Sequence, residues 1–256
     1  MTATLAGCGV VVTRPAHQAE ALCTAIEALG GTALRYPTVA IRGSAAPPPA
    51  PAARYDWLVF VSPNAVAHAG AWLTVPTRVA ALGPATAAAL REAGREVAVE
   101  APDGTGSEGL LADPRFAPSA GARVAIVRGD GGRELIAEAL DARAVRVERA
   151  EVYARCRPTA ELDAGLDERT AALEARWRTG SVHAVVATSN ALLENLHGLL
   201  DASGRALLRE TQVVAASGRV LQLARELGIG PVPLVAGSAS SPAIVATLAH
   251  WWRHRR

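Results

Sequence analysis

No lysine occurs among the 256 residues, and all 26 basic residues are arginine. That absence excludes a lysine Schiff base, attachment of pyridoxal phosphate and a Walker-type phosphate loop, each of which needs the ε-amine. The formal net charge is +2, far from the concentrated basic patch that marks a nucleic-acid binder, so no nucleic-acid partner is expected. There are three cysteines, Cys8, Cys23 and Cys156. They form no C-x-x-C pair, which fits a reducing cytoplasm and no structural zinc. The six histidines are read as forming no pair at helical spacing, with none beside a cysteine, so no metal is expected. No stretch reaches the roughly 18 consecutive apolar residues of a membrane-crossing helix, and no membrane partner is expected. Leu5-Ala6-Gly7-Cys8 mimics a lipoprotein cleavage box, yet the preceding residues contain neither a basic start nor an apolar run of signal length. No G-x-S-x-G elbow is present, which removes the usual α/β-hydrolase nucleophile.

Half of the residues are hydrophobic and 20 % are charged, enough for a sizeable core. The apolar segments fall into a repeating pattern. Val79–Leu111 reads as a short strand, a Gly83-Pro84 turn, a helix stopped at Gly94, a second short strand and a Gly-rich turn leading to a helix start at Ser107. The segment Val213–Val245, displaced by 134 residues, repeats that punctuation without a gap, with Gly94 on Gly228, Thr86 on Val220 and Ser107 on Ser241. A second displacement, of 114 residues, lays the strand and helix around Arg14 onto those around Arg128. Ser62-Pro63-Asn64-Ala65 corresponds to Thr188-Ser189-Asn190-Ala191 with a one-residue shift. Four units therefore recur in order, and 256 residues so duplicated suggest two domains. Strands alternating with helices predict the α/β class, with parallel sheets covered on both faces. Gly43–Ala53, rich in proline and alanine, reads as a surface loop.

In open parallel sheets ligands gather beyond the carboxyl ends of the strands. The strand-to-helix loops carry Arg14, Ser62, Asn64, Thr86, Ser107, Arg128, Ser189, Ser217 and Ser241. Helix starts present free N–H groups and partial positive charge, which suit carboxylates or phosphates. Each Ser, Thr or Asn there is equally a helix cap irrespective of function, and each arginine is equally a solvated surface residue. Only their recurrence at matched positions favours a ligand. Gly129-Asp130-Gly131-Gly132 lacks the third glycine of a dinucleotide loop, since Glu134 occupies its place. The terminal Trp251–Arg256 run could touch a membrane or nucleic acid, but reads more plainly as a frayed tail with a Trp packed on the last helix.

The segments VVTRPAHQAE, DWLVFVSPNAV, VAALGPATAAALREAG, TGSEGLL, VAIVRGDGGRELI and VERAEVYARCRP, in this order over nearly the whole chain, resemble the uroporphyrinogen-III synthase family. The resemblance implies two similar three-layer α/β/α domains joined by a two-stranded linker, with the active site in the cleft between them. One domain would comprise residues 1–38 and 156–256, the other 41–153, with crossovers near 33–41 and 147–157. It also implies a cytoplasmic monomer that uses neither metal nor organic cofactor. Its substrate would be a linear tetrapyrrole polycarboxylate, hydroxymethylbilane, closed to uroporphyrinogen III with inversion of ring D and loss of water. Tyr153 matches the family's tyrosine, placed to give a hydrogen bond or proton to the departing hydroxyl; packing at the hinge is the plainer reading. Thr86 matches the threonine of the family's Gly-Pro-x-Thr turn, and Arg14, Ser62 and Ser107 match loop positions near the ligand. The second copy of that turn departs from the pattern, because Val220 stands where a threonine hydroxyl is usual. A non-catalytic two-domain clamp for a small polyanion is the competing reading.

Overall fold

In the computed structural model, residues 4–44, 54–74 and 77–255 are described; most of the proline-rich Gly43–Ala53 loop lies outside them. The chain divides into two compact units, Met1–Ala40 with Cys156–Arg256, and Ile41–Arg155. It passes between them twice, at Ala40–Ile41 and at Arg155–Cys156.

The first unit is built on a five-stranded sheet. Its strands are β1 (Gly9–Val12), β2 (Thr32–Arg35), β9 (Ala184–Ala187), β10 (Gln212–Ala215) and β11 (Leu234–Val235), in the order β11-β10-β9-β1-β2. All four pairings are parallel. The short apolar runs GVVV, AVVA and QVVA are buried along their whole length, as expected of central strands covered on both faces. Alternate residues go to opposite layers. Val10, Val12, Val186 and Val214 pack under α1 (Ala16–Ala28) and α10 (Ser241–His254) with Leu22, Ile26, Ile244 and Leu248. Val11, Val185, Ala187, Val213 and Ala215 pack with Leu173, Leu193, Leu208 and Val220. These come from α6 (Leu166–Arg178), α7 (Asn190–Leu199), α8 (Ala202–Arg209) and α9 (Gly218–Glu226).

The second unit holds a six-stranded sheet. Its strands are β3 (Ala40–Gly43), β4 (Trp57–Phe60), β5 (Arg78–Ala81), β6 (Val99–Glu100), β7 (Arg123–Gly129) and β8 (Arg146–Cys156), in the order β3-β8-β7-β4-β5-β6. Strands β4 to β8 pair in parallel. One face packs Leu58, Phe60, Val79 and Val127 with residues of α2 (Pro63–Ala67) and α3 (Pro84–Glu92). The other packs Trp57, Val59 and Ile126 with residues of α4 (Gly106–Ala112) and α5 (Leu135–Asp141).

Omitting β3, the two sheets have one spatial order. β7, β8, β4, β5 and β6 occupy the places of β1, β2, β9, β10 and β11. The repeat displaced by 134 residues carries β5 onto β10 and α3 onto α9 with identical bounds. Gly94 and Gly228, just past those helices, both take positive φ, +76° and +71°, the left-handed turn that glycine permits without strain. The remaining unit is in register by its caps. Ser62 and Ser189 each accept a bond from the amide three residues on, so Ser62 corresponds to Ser189 and Asn64 to Ala191. The second short strand expected after Gly94, EVAVEAP, contracts to Val99–Glu100. As far as His254 the Trp251–Arg256 run is helix rather than frayed tail: α10 runs through Trp251 and Trp252, and the Trp252 indole donates to the Ala6 carbonyl at 3.1 Å. No helix among the described residues is long and apolar enough to cross a membrane.

Candidate functional site

The second unit gathers its candidate residues at the carboxyl ends of β4, β7 and β8. Strand β8 runs in regular register beside β7 from Arg146 to Glu151, after which Gly129 meets Tyr153 and Val152 is inserted. Side chains of consecutive strand residues normally alternate between faces. The bulge overrides this, and Val152 and Tyr153 both enter the layer that holds Phe60, Val127 and Ala150. Bulges commonly re-aim a side chain in this way beside a site. Tyr153 is only 2 % exposed. Its ring lies against Gly129, with the His68 ring centre 6.0 Å away and the Arg155 guanidinium 5.7 Å from its centre. The Tyr153 hydroxyl stands 3.1 Å from Ser62 Oγ, and Arg155 Nη2 approaches it at 3.5 Å. Ser62 Oγ also accepts the Ala65 amide at 3.2 Å, which fixes its position at the start of α2. Either hydroxyl can donate to the other.

A cavity of about 200 Å³ opens beside Tyr153, lined by Ser107, Arg128, Arg133 and Arg155 over Ile126 and Ile136. It combines a phenol, a serine and three guanidiniums with an apolar floor, which suits a carboxylate joined to an unsaturated ring. Arg128 is buried rather than solvated, at 4 % exposure. It donates to the Gly129 carbonyl at 3.2 Å, to the Gly131 carbonyl, and to Glu134 at 2.9 Å. Its guanidinium thus shapes the glycine-rich loop while one edge faces the cavity. Arg149 and Arg128 together hold the Glu134 carboxyl below the usual carboxylate range. Asp130 ties the loop to β8: its amide donates to the Tyr153 carbonyl at 2.9 Å and its carboxylate accepts the Arg155 amide at 3.1 Å.

Two other expected residues stand apart from this cavity among the described residues. Asn64, the second residue of α2, is half-buried. Thr86 is 4 % exposed on the first turn of α3, and among the described residues nothing hydrogen-bonds its hydroxyl.

In the first unit, Ser189 and Ser217 are brought together by the starts of α7 and α9. They line a cavity of about 320 Å³ with Thr188, Asn190, Arg219 and Val220. Ser189 caps its helix through Leu192 N–H at 3.4 Å, whereas Ser217 occupies the cap position without making that bond. Val220 is 1 % exposed at the place of Thr86, so the aligned hydroxyl is replaced by a buried methyl. Arg14 is also buried, 8 % exposed; burial lowers its pKa, with Cys23 acting in the opposite direction. It donates to the carbonyl of Ala239, in the loop ahead of α10. Ser240, not Ser241, caps α10 by accepting Ala243 N–H at 3.4 Å, and Ser241 is its first helical residue.

Reading from sequence missed Arg155, although it lies two residues beyond Tyr153 on the same strand and could have been placed on that side by alternation. It also misread the histidines. His250 and His254 are four residues apart on α10, with ring centres 4.5 Å apart.

The sequence profile of the family described as Uroporphyrinogen-III synthase HemD matches residues 20–246. The chain belongs to the uroporphyrinogen-III synthase family. It is 34 % identical over 254 residues to the uroporphyrinogen-III synthase of Salmonella typhimurium, covering 93 % of this chain and 99 % of the relative. It is 32 % identical over 253 residues to that of Escherichia coli, with the same coverage. The fold is that of the solved uroporphyrinogen-III synthetase of Helicobacter pylori, at a TM-score of 0.53, 15 % identity and coverage of 93 % of this chain and 97 % of that one. Enzymes of this family act in tetrapyrrole biosynthesis.

Proposed function

We propose that the protein is a uroporphyrinogen-III synthase: a cofactor-independent lyase that closes hydroxymethylbilane to uroporphyrinogen III, inverting ring D and releasing water. It works as a cytoplasmic monomer whose partner is its small-molecule substrate alone. The observation that carries this reading is the end-to-end likeness to relatives named for that activity, 34 % and 32 % identical over 99 % of their length.

The chemistry asks little of side-chain nucleophiles. The hydroxyl of the substrate's hydroxymethyl group leaves as water with a push from the electron-rich pyrrole: the carbon–oxygen bond breaks as the oxygen takes a proton, and the methylene carbon stays on the ring as the electrophile. Tyr153 is the donor, with Ser62 steadying its hydroxyl at 3.1 Å and Arg155 close enough to balance the negative charge left on the phenol oxygen. Ring closure without guidance uses the free position of ring D and gives the uninverted isomer. The protein must hold the chain so that the substituted position attacks and a spiro intermediate forms. Such alignment is worth about 7–11 kcal/mol in well-oriented intramolecular reactions. The eight acetate and propionate groups of the substrate supply the handles, and Arg128, Arg133, Arg155 and Arg219, with the helix starts at Ser189 and Ser217, supply complementary charge and N–H donors.

The test is consumption of hydroxymethylbilane by desalted protein in the presence of a strong chelator. A rate well above the uncatalysed loss, unchanged by chelator, supports the reading. A rate equal to the uncatalysed loss contradicts it, and activity that appears only with added metal contradicts cofactor independence.

A further inference from the structure

The carboxyl-terminal helix carries a feature with no part in this chemistry. His250 and His254 are four residues apart on α10 (Ser241–His254), so both lie on one helix face, a turn apart. Their rings face each other at a tilt of 37° with centres 4.5 Å apart, and both residues are exposed to solvent. The ring nitrogen Nδ1 of His254 lies 2.7 Å from the His250 carbonyl oxygen. A carbonyl can only accept, so this contact puts the proton on Nδ1 and leaves the Nε2 lone pair bare. Metal-binding histidines are commonly oriented by this kind of second contact to a backbone carbonyl.

We propose that His250 and His254 form a bidentate site for a first-row transition-metal dication, with water filling the remaining positions. Paired histidines one helical turn apart are the geometry by which helices present two imidazoles to one metal. Imidazole suits copper, nickel and zinc, and affinity rises along the series to copper(II). Hard cations such as magnesium and calcium, which need oxygen ligands, are excluded by the donor set.

The surrounding charge sets the conditions. Arg253 and Arg255 flank His254 and repel a dication. Arg253 Nε is held by the Ala249 carbonyl at 3.2 Å, and the Arg255 guanidinium lies over Trp251 and Trp252, 5.3 and 5.4 Å from their ring centres. Repulsion between exposed charges is screened by salt, so binding tightens as ionic strength rises, the reverse of attraction to an anionic patch. Trp251 and Trp252 adjoin the pair in sequence and provide the readout, because a paramagnetic copper(II) ion held there quenches their fluorescence.

The experiment is titration of the full-length protein with copper(II) chloride, followed by tryptophan emission and calorimetry, with nickel(II) chloride as the weaker second probe. The expected result is saturable quenching at one copper per chain, reversed by a chelator. Removing a ligand should cost at least the roughly tenfold that loss of a second-shell partner costs, so His250→Asn and His254→Asn should each weaken binding by that factor or more. Both positions are exposed, and circular dichroism should show the variants folded. Wild-type affinity in either single variant overturns the site. Half a copper per chain with dimers in sedimentation also overturns it, since the ion is then shared between two copies rather than held by one pair with water completing its shell.

Discussion

The ring of Tyr153 lies where Gly129 has no side chain. A methyl group at Gly129 would come within 2.5 Å of Tyr153 Cε2 and 2.6 Å of Cζ, closer than any packed carbon pair. The β8 bulge turns Tyr153 into its layer, and the bare backbone of Gly129 makes room for it. Gly129→Ala is therefore expected to push the ring off Ser62, at a cost of about 1–3 kcal/mol typical of overpacking. Thermal unfolding should show a lowered midpoint, and turnover should fall even at temperatures where the variant is folded. A variant with unchanged stability and turnover would mean the ring has freedom that this packing denies it.

The phenol oxygen is the group assigned to proton transfer. Tyr153→Phe keeps the buried ring and removes only that oxygen, so the unfolding midpoint should move little while kcat drops about 100-fold, the lower range for a positioned acid. Ser62→Ala removes both the neighbour of the phenol and the cap of α2, costing about 1 kcal/mol of stability. Because the two hydroxyls act together, their effects on kcat should not add in the double variant. Simple additivity, or an unchanged rate in Tyr153→Phe, would refute the pairing.

Thr86 and Val220 make a natural comparison, since both are buried at the same place in their repeats, with 4 % and 1 % exposure. Among the described residues nothing hydrogen-bonds the Thr86 hydroxyl, and the buried polar atom left without a partner among them is Trp72 Nε1 instead, so the Thr86 oxygen keeps access to solvent and no stability depends on it. Thr86→Val should leave stability unchanged and weaken substrate binding, read as a raised KM. Val220→Thr should destabilise without improving turnover. If Thr86→Val is kinetically silent, the hydroxyl serves no ligand.

His183 couples folding to pH. Its Nδ1 accepts the Gly9 amide at 2.9 Å, a contact that needs the nitrogen unprotonated, and its ring packs edge-on to Trp252 at 4.8 Å between centres. Burial, then the charge of Arg255, push its pKa below the usual 6.5. With the folded value below the unfolded one, the unfolded chain binds the proton first as pH falls. This contribution to stability is therefore intact above pH 6.5 and is lost as pH falls from there through the folded pKa. Urea unfolding midpoints across that window should decline in the wild type. The decline should be smaller in His183→Gln, whose amide oxygen can still accept from Gly9. An equal decline in both would assign the effect to other groups.

Much of the fold was legible because local punctuation and global order agree. The turn at Gly83-Pro84, the stop at Gly94 and their copies at 218 and 228 mark α3 and α9, whose bounds coincide under the repeat. Helices α6 and α8 were not legible. α6, with Asp167, Glu168, Arg176 and Arg178 at its ends, shows a weak apolar stripe, and tertiary packing of Leu173 and Trp177 decides it. At the site, alternation along β8 cannot foresee the inserted Val152, so periodicity alone would put Tyr153 on the opposite face. Its role came from resemblance. The burial of Arg14 and Arg128 was equally hidden, because the backbone carbonyls that receive them, at Ala239, Gly129 and Gly131, leave no mark in sequence. Ser240 and Ser241 are adjacent serines, and only geometry says which one caps.

The most direct measurement is the isomer composition of the product. Purified protein is mixed with freshly generated hydroxymethylbilane, and the oxidised products are separated by isomer. Predominantly type III uroporphyrin is the predicted result, since only a protein that directs attack from the substituted position of ring D yields it. Type I alone, formed at the uncatalysed rate, would contradict the account and leave a two-unit scaffold that binds polyanions without performing the reaction.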